Sequence, residues 1–202
     1  MDINVNNLDR GYEQCEGLNT LSKNSGEVLL NRLSTNVANL KVHWVGEDAT
    51  LHINNLIRVY NALGALLTDA ISVTSSAGDK IIAIQRVRKS NGGSGMVGSE
   101  LSKAAPNITT IAQVEPTDKY FCDPAARNDY NELDSICGAY ETFVNDFKGR
   151  ANDLMANWTA GANREGAKAL FDQFAENTDT YKKYLTDAKE NLATAVSNLS
   201  QL

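Results

Sequence analysis

The sequence predicts an all-α chain, and three observations predict it. Its only prolines, Pro106, Pro116 and Pro124, all fall between Ser90 and Ala125. A proline inside a helix costs about 3 kcal/mol, so the proline-free stretches 1–89 and 126–202 are open to long helices. Within those stretches large side chains recur at alternating steps of three and four, which places them on one stripe of a helix. Strands would need a period of two, and nothing alternates over six residues.

Taken in order, the first helical segment carries its stripe through Leu29, Leu33, Val37, Leu40 and Trp44. Gly11, Gly17 and Gly26 each weaken its start by roughly 1 kcal/mol, so fraying or a break is expected before about Glu27. Gly46 ends this segment. The second runs through Ile53, Leu56, Tyr60, Leu63, Leu67, Ala70, Ala77, Ile81 and Ile84. Ser90-Asn91-Gly92-Gly93-Ser94-Gly95 then opens a stretch with the composition of a flexible linker. Beyond it, Tyr130, Leu133, Cys137, Tyr140, Val144, Phe147, Ala151, Leu154 and Trp158 form a third stripe, closed by Gly161 and Gly166. The fourth comprises Leu170, Phe174, Tyr181, Ala188, Leu192 and Leu199. The expected helices are 8–43, 48–89, 126–157 and 164–200. They make two long antiparallel helical hairpins, 1–89 and 126–202, joined by a linker at 90–125.

With 202 residues, 42% hydrophobic and 22% charged, the chain can bury a substantial core. Its 25 acidic against 19 basic groups give a net charge of −6, the wrong sign for a protein that coats nucleic acid. No uninterrupted apolar run approaches the roughly 20 residues that span a bilayer. The opening Met1-Asp2-Ile3-Asn4-Val5 lacks the basic head and apolar stretch of a secretory signal peptide, so Sec export is not expected. Three scattered cysteines, Cys15, Cys122 and Cys137, form neither a disulfide framework nor a zinc site and read as ordinary thiols.

The two hairpins also match each other. At an offset of 114 residues, Leu30, Leu33 and Leu40 align with Val144, Phe147 and Leu154. Leu56, Ile57 and Tyr60 likewise align with Leu170, Phe171 and Phe174. The same offset superposes the only two tryptophans, Trp44 and Trp158, each followed within three residues by a glycine. The segment Trp44-Val45-Gly46 between two long proline-free helices resembles the signature turn of the WXG family, the small helical hairpins exported by type VII (ESX) secretion systems. Trp158-Thr159-Ala160-Gly161 is a looser copy, with its glycine one residue later. The resemblance implies a turn motif at Trp44, Gly46, Trp158 and Gly161. It also implies that each indole adds to a surface seen by a partner or by export machinery. The plainer account is that each tryptophan caps its core. The family's Tyr-x-x-x-Asp/Glu export signal is missing after the final helix. That spacing occurs only at Tyr12–Glu16 and Tyr130–Asp134, so either a partner carries the signal or another feature serves.

Sites for chemistry are scarce. His43 and His52 are the only histidines, and neither belongs to a His-Glu-x-x-His or Glu-x-x-His pattern. No phosphate-binding loop or nucleophile elbow is present. The expectation is therefore a non-enzymatic protein with no cofactor and no metal. An intramolecular four-helix bundle of the two hairpins, or a swapped homodimer, would bury both stripes. The resemblance implies a secretion substrate or accessory factor that contacts secretion machinery or a co-secreted effector by helix packing. It would be cytoplasmic before export, then secreted or surface-bound, without nucleic acid or stable membrane insertion. The alternatives are an adaptor bundle unrelated to secretion and an enzyme or toxin whose site the sequence hides.

Overall fold

The computed structural model describes residues 4–199; the outermost residues of the two expected hairpins, 1–3 and 200–202, lie outside that range. The chain is 77% helical, its helices pack against one another, and sheet is minimal. Strand β1 (Asn4–Val5) precedes α1 (Leu8–Leu21), a π-helical turn (Ser22–Gly26) and α2 (Glu27–His43). Strand β2 (Trp44–Val45) leads into α3 (Glu47–Ser90). Strand β3 (Phe121–Cys122) precedes α4 (Ala126–Asn157), and β4 (Trp158–Ala160) precedes α5 (Ala162–Leu199).

Local chemistry sets the helix ends. The Asn7 side chain caps α1 by accepting from the Arg10 amide at 3.0 Å. Asp123 caps the approach to α4, its carboxylate accepting from the Ala125 amide at 2.7 Å. Helix α3 has 44 residues and no proline, so it runs for about 66 Å.

The first helix does not fray before Glu27. Burial of Tyr12, Cys15, Leu18 and Leu21 outweighs the propensity cost of its glycines. The strain appears instead as the π turn, where Gly26 lets Leu67 and Phe143 approach so closely that any side chain would clash.

Two compact units divide the chain, each drawn from three separate stretches. One contains the described residues up to Glu27, together with Ala65–Asn107 and Phe143–Glu176. Its core includes an aromatic cluster in which Phe147 meets Phe143, Phe171 and Phe174 at ring-centre distances of 5.7, 5.5 and 5.9 Å. The other contains Val28–Gly64, Ile108–Thr142 and the residues from Asn177 onward. It buries Leu30, Leu33, Val37, Leu40, Ile53, Leu56 and Tyr60 along with Leu133, Ile136, Leu185 and Leu192.

The expected stripes are buried over most of their length and drift at several places, with Tyr130, Tyr181 and Leu199 only half-buried. Ile136 is fully buried where Cys137 was expected and is only half-buried. Phe171 replaces Leu170, which is half-buried. Near the end of α3, Ile84 is 42% exposed while Gln85 is buried. A helix of 3.6 residues per turn slides off a strict 3.5 repeat, so a long stripe must shift by one position now and then. The sequence reading also missed an 18-residue window in α3 whose mean hydropathy, 1.3, is high enough to cross a membrane by length and composition. Of that window 56% is buried by packing.

Residues 91–120 contain no helix or strand, yet they are fastened down. Three side chains each bind both backbone polar groups of one residue in the segment. The Tyr12 hydroxyl donates to the Ser99 carbonyl and accepts from its amide, at 2.9 and 3.0 Å. Tyr60 does the same for Thr109, at 3.1 and 3.0 Å. Asn54 holds Val114 through its amide group, at 2.9 and 2.8 Å. Buried Gln85 accepts from the Gly98 amide and donates to Asp9, whose carboxylate also pairs with Arg88. These bonds explain polar burial inside otherwise apolar stripes.

Tyr60→Phe removes both bonds to Thr109 and should cost about 1–2 kcal/mol. Hydrogen exchange at the Thr109 amide should accelerate in this variant; an unchanged rate would contradict the fastening described here.

Candidate functional site

Each tryptophan ends a helix, and the helix end leaves carbonyl groups without intrahelical partners. In both cases the chain that precedes another long helix supplies a partner. Trp44 and Val45 pair antiparallel with Cys122 and Phe121, in the unit that begins at Val28. The carbonyl of His43 accepts from the Asp123 amide at 2.8 Å. In the other unit, Trp158 pairs with Val5 and Ala160 with Asn4, while the carbonyl of Asn157 accepts from the Asn6 amide at 3.1 Å. The arrangement is reciprocal: the strand ahead of α4 closes the Trp44 turn, and the strand ahead of α1 closes the Trp158 turn.

The one-residue difference between the turns has a structural counterpart. The β1–β4 register skips Thr159, a bulge that takes up the extra residue between Trp158 and Gly161. Both glycines then adopt a backbone conformation that disfavours side chains, with φ of +149° at Gly46 and +123° at Gly161. At Gly46 a Cβ would also meet the Tyr120 ring at 3.2 Å.

The predicted turn residues therefore assemble as two separate turns, Trp44 with Gly46 and Trp158 with Gly161. The indoles themselves are only 3% and 2% exposed. They close their cores, and what faces solvent near the first turn is a set of neighbours. Val42, Leu51, Tyr120 and Phe121 are between 49% and 68% exposed. Of the two Tyr-x-x-x-acid spacings, Tyr12–Glu16 has its tyrosine buried and bonded to Glu16 and Ser99, while Glu16 itself is exposed.

Sequence reasoning missed the residues that lock the turns. Immediately before each tryptophan, a polar side chain reaches the start of the opposing segment. Nδ1 of His43 lies 2.7 Å from the Asp129 carboxylate. Asn157 accepts from the Asn7 amide and donates to the Asn7 carbonyl, both at 3.2 Å. His43 and Asn157 stand 114 positions apart, so the repeat offset could have flagged them.

Histidines do not converge on a metal. His43 is engaged by Asp129, whereas His52 stacks on Trp44 with ring centres 5.9 Å apart and planes 7° from parallel. Among the described residues no group of three or more His, Cys, Asp or Glu side chains is placed to hold a metal ion. The three cysteines are free thiols. Burial pushes Cys15 up to about 12, which leaves it protonated and unreactive at neutral pH. Burial also lowers His52 below its ordinary 6.5, with Lys183 adding to the effect and Asp187 and Asp48 opposing it. The chain was compared with protein-family models, curated proteins and solved structures, and none matches it.

Two outcomes follow from this geometry. Trp158→Ala should lower stability by about 3–5 kcal/mol, since it empties the space of a fully buried indole. An unchanged denaturation midpoint would contradict the capping role. For His52 the depressed value means that the unfolded chain takes up the proton first as pH falls. The stability from neutral His52 is whole above pH 6.5 and is lost as pH drops from there toward the lowered value. His52→Gln should flatten the melting-temperature profile as pH falls below 6.5; a slope equal to that of the parent would refute this assignment.

Proposed function

We propose that the chain is a tandem pair of WXG-like helical hairpins that pack as an intramolecular four-helix bundle. On this reading it works as a non-enzymatic type VII secretion substrate or accessory factor. The observation that carries the proposal is the equivalence of the two tryptophan turns. Each has a buried indole, a following glycine at positive φ, and a short antiparallel pairing with the chain ahead of another long helix. Chance resemblance of a three-letter motif gives no reason for that shared environment. A gene duplication does, and hairpins whose stripes cover one another gain from being tethered. A covalent connection raises the local concentration of one for the other.

Recognition would proceed through helix packing and exposed apolar residues, not through chemistry at a catalytic centre. Near the Trp44 turn, Val42, Leu51, Tyr120 and Phe121 offer apolar surface, with Glu47, Asp48 and Asp118 close by in the sequence. A protein partner from the secretion machinery, or a co-exported effector, would dock on such features. The chain would be made in the cytoplasm and then exported.

Culture fractionation tests this reading. The full-length protein should appear in the supernatant or at the surface of the parent strain. It should remain in the cell when the FtsK-like ATPase of the type VII system is deleted, while an unrelated cytoplasmic marker stays inside in both strains. Retention in both strains, or release in both, would refute the secretion role and leave an adaptor bundle.

A further inference from the structure

The last turns of α3 carry a patch that takes no part in either tryptophan turn. Lys80, Ile84 and Val87 follow one another at steps of four and three, so they share a face of the helix. The other side of the helix packs inward through Ile81, Ile82 and Gln85. After Ser90 the chain doubles back through Gly92 and Gly95, both at positive φ. Arg88, one turn beyond Ile84, fastens it there by donating to the Met96 carbonyl at 2.9 Å. Ile84, Val87, Met96 and Val97 are thereby gathered at one helix end, each between 36% and 60% exposed. All four lie in the unit that contains Ala65–Asn107. Apolar exposure concentrated in this way marks a contact surface.

Charge says what that surface would meet. Residues 80–99 hold four basic side chains, Lys80, Arg86, Arg88 and Lys89, and no acidic one, in a chain of net charge −6. Arg88 pairs with Asp9 at 2.7 Å, whereas Arg86 and Lys89 enter no ion pair among the described residues. The helix dipole accounts for basic groups in the last turn. It accounts neither for Lys80, nearly three turns earlier, nor for the exposed apolar residues.

Three kinds of anionic partner suit a basic patch, and its residues separate them. Single-stranded nucleic acid is held largely by aromatic stacking, and 80–99 contains no aromatic residue. A partner helix reads anchors at i, i+3 or i+4, and i+7, and only Ile84 and Val87 supply exposed apolar anchors before α3 ends at Ser90. A bilayer of anionic lipids asks for no such register. It takes apolar side chains into the headgroup boundary while lysine and arginine reach the phosphates.

We infer that the end of α3 is a docking surface for an anionic lipid bilayer. Ile84, Val87, Met96 and Val97 enter the headgroup region, and Lys80, Arg86 and Lys89 lie against phosphate. The contact is peripheral and reversible: the chain rests on the bilayer and does not cross it. It does not depend on the export reading and would stand if that reading failed.

Co-sedimentation of the full-length protein with vesicles tests the inference. Vesicles of equal parts phosphatidylglycerol and phosphatidylcholine should carry the protein down, and vesicles of phosphatidylcholine alone should not. Raising the salt from about 0.1 M to about 1 M shortens the screening length from about 10 Å to about 3 Å and should weaken binding at least tenfold. Arg86→Gln combined with Lys89→Gln should weaken it to a similar extent. Val87→Ser combined with Met96→Ser should do so with the charge unchanged. All four positions are on the surface, so the melting temperature should stay that of the parent. A nitroxide-labelled lipid should broaden the methyl signals of Ile84, Val87, Met96 and Val97, and spare those of Val42 and Leu51 beside the Trp44 turn. Failure to bind the phosphatidylglycerol vesicles, equal binding to the neutral ones, or undiminished binding by either double variant would overturn the inference. Poly-glutamate that shifts the same methyl signals where vesicles do not would also overturn it, and would give the patch to an acidic polypeptide.

Discussion

Continuous burial of apolar stripes along very long helices is the constraint on which the rest of this structure depends. Helix α3 alone contributes Ile53, Leu56, Ile57, Tyr60, Leu63, Leu67, Ala70, Ile71, Ala77 and Ile81, each almost wholly buried. At about 25 cal/mol per Å2 of apolar area removed from water, such a stripe far exceeds any single polar contact. The ion pairs are small by comparison. Lys182–Glu141 and Lys183–Asp187 are largely exposed, and pairs of that kind contribute between nothing and about 1 kcal/mol. A stripe of this length tolerates glycines that would break an isolated helix. Gly11 and Gly26 sit within a helical run because the surrounding side chains are buried.

Helix burial creates a second requirement at the ends of the stripes. Where a helix stops, its last carbonyls lose their partners, and an apolar core would be left open. Both tryptophan turns meet the two needs together. The indole covers the core, and a short strand from elsewhere in the chain accepts and donates the missing backbone bonds. Glycine follows because the chain must then reverse through a backbone conformation that other residues resist. His43 and Asn157 add side-chain bonds to the same junctions, so each turn is held by backbone and side chain alike. The proposed export role draws on these turns, which are the part of the chain least like an ordinary amphipathic helix.

The segment between α3 and α4 obeys different physics. It has too few apolar residues to bury a stripe of its own, and its backbone groups would be unpartnered if it merely lay across the helices. Tyr12, Tyr60 and Asn54 solve this by offering both a donor and an acceptor to one backbone residue each. Leu101 is pressed close to Gly78 and is itself 8% exposed, so an apolar anchor joins the polar ones. A composition of glycine, serine and proline therefore describes the intrinsic freedom of this segment, not its arrangement once the helices are present.

Sequence alone determined the helical class, the helix boundaries to within a few residues and the position of both turns. These are local properties: proline exclusion, the three-four step of large side chains and glycine at a reversal are written in neighbouring residues. Tertiary structure decided which segments meet. That β3 closes the Trp44 turn and β1 the Trp158 turn rests on backbone N–H and C=O groups, which nearly every residue carries, so no side-chain pattern announces it. The burial of Gln85 in place of Ile84 arises in the same way. It depends on what residues distant in the chain place against the helix, and periodicity within the helix holds no record of that.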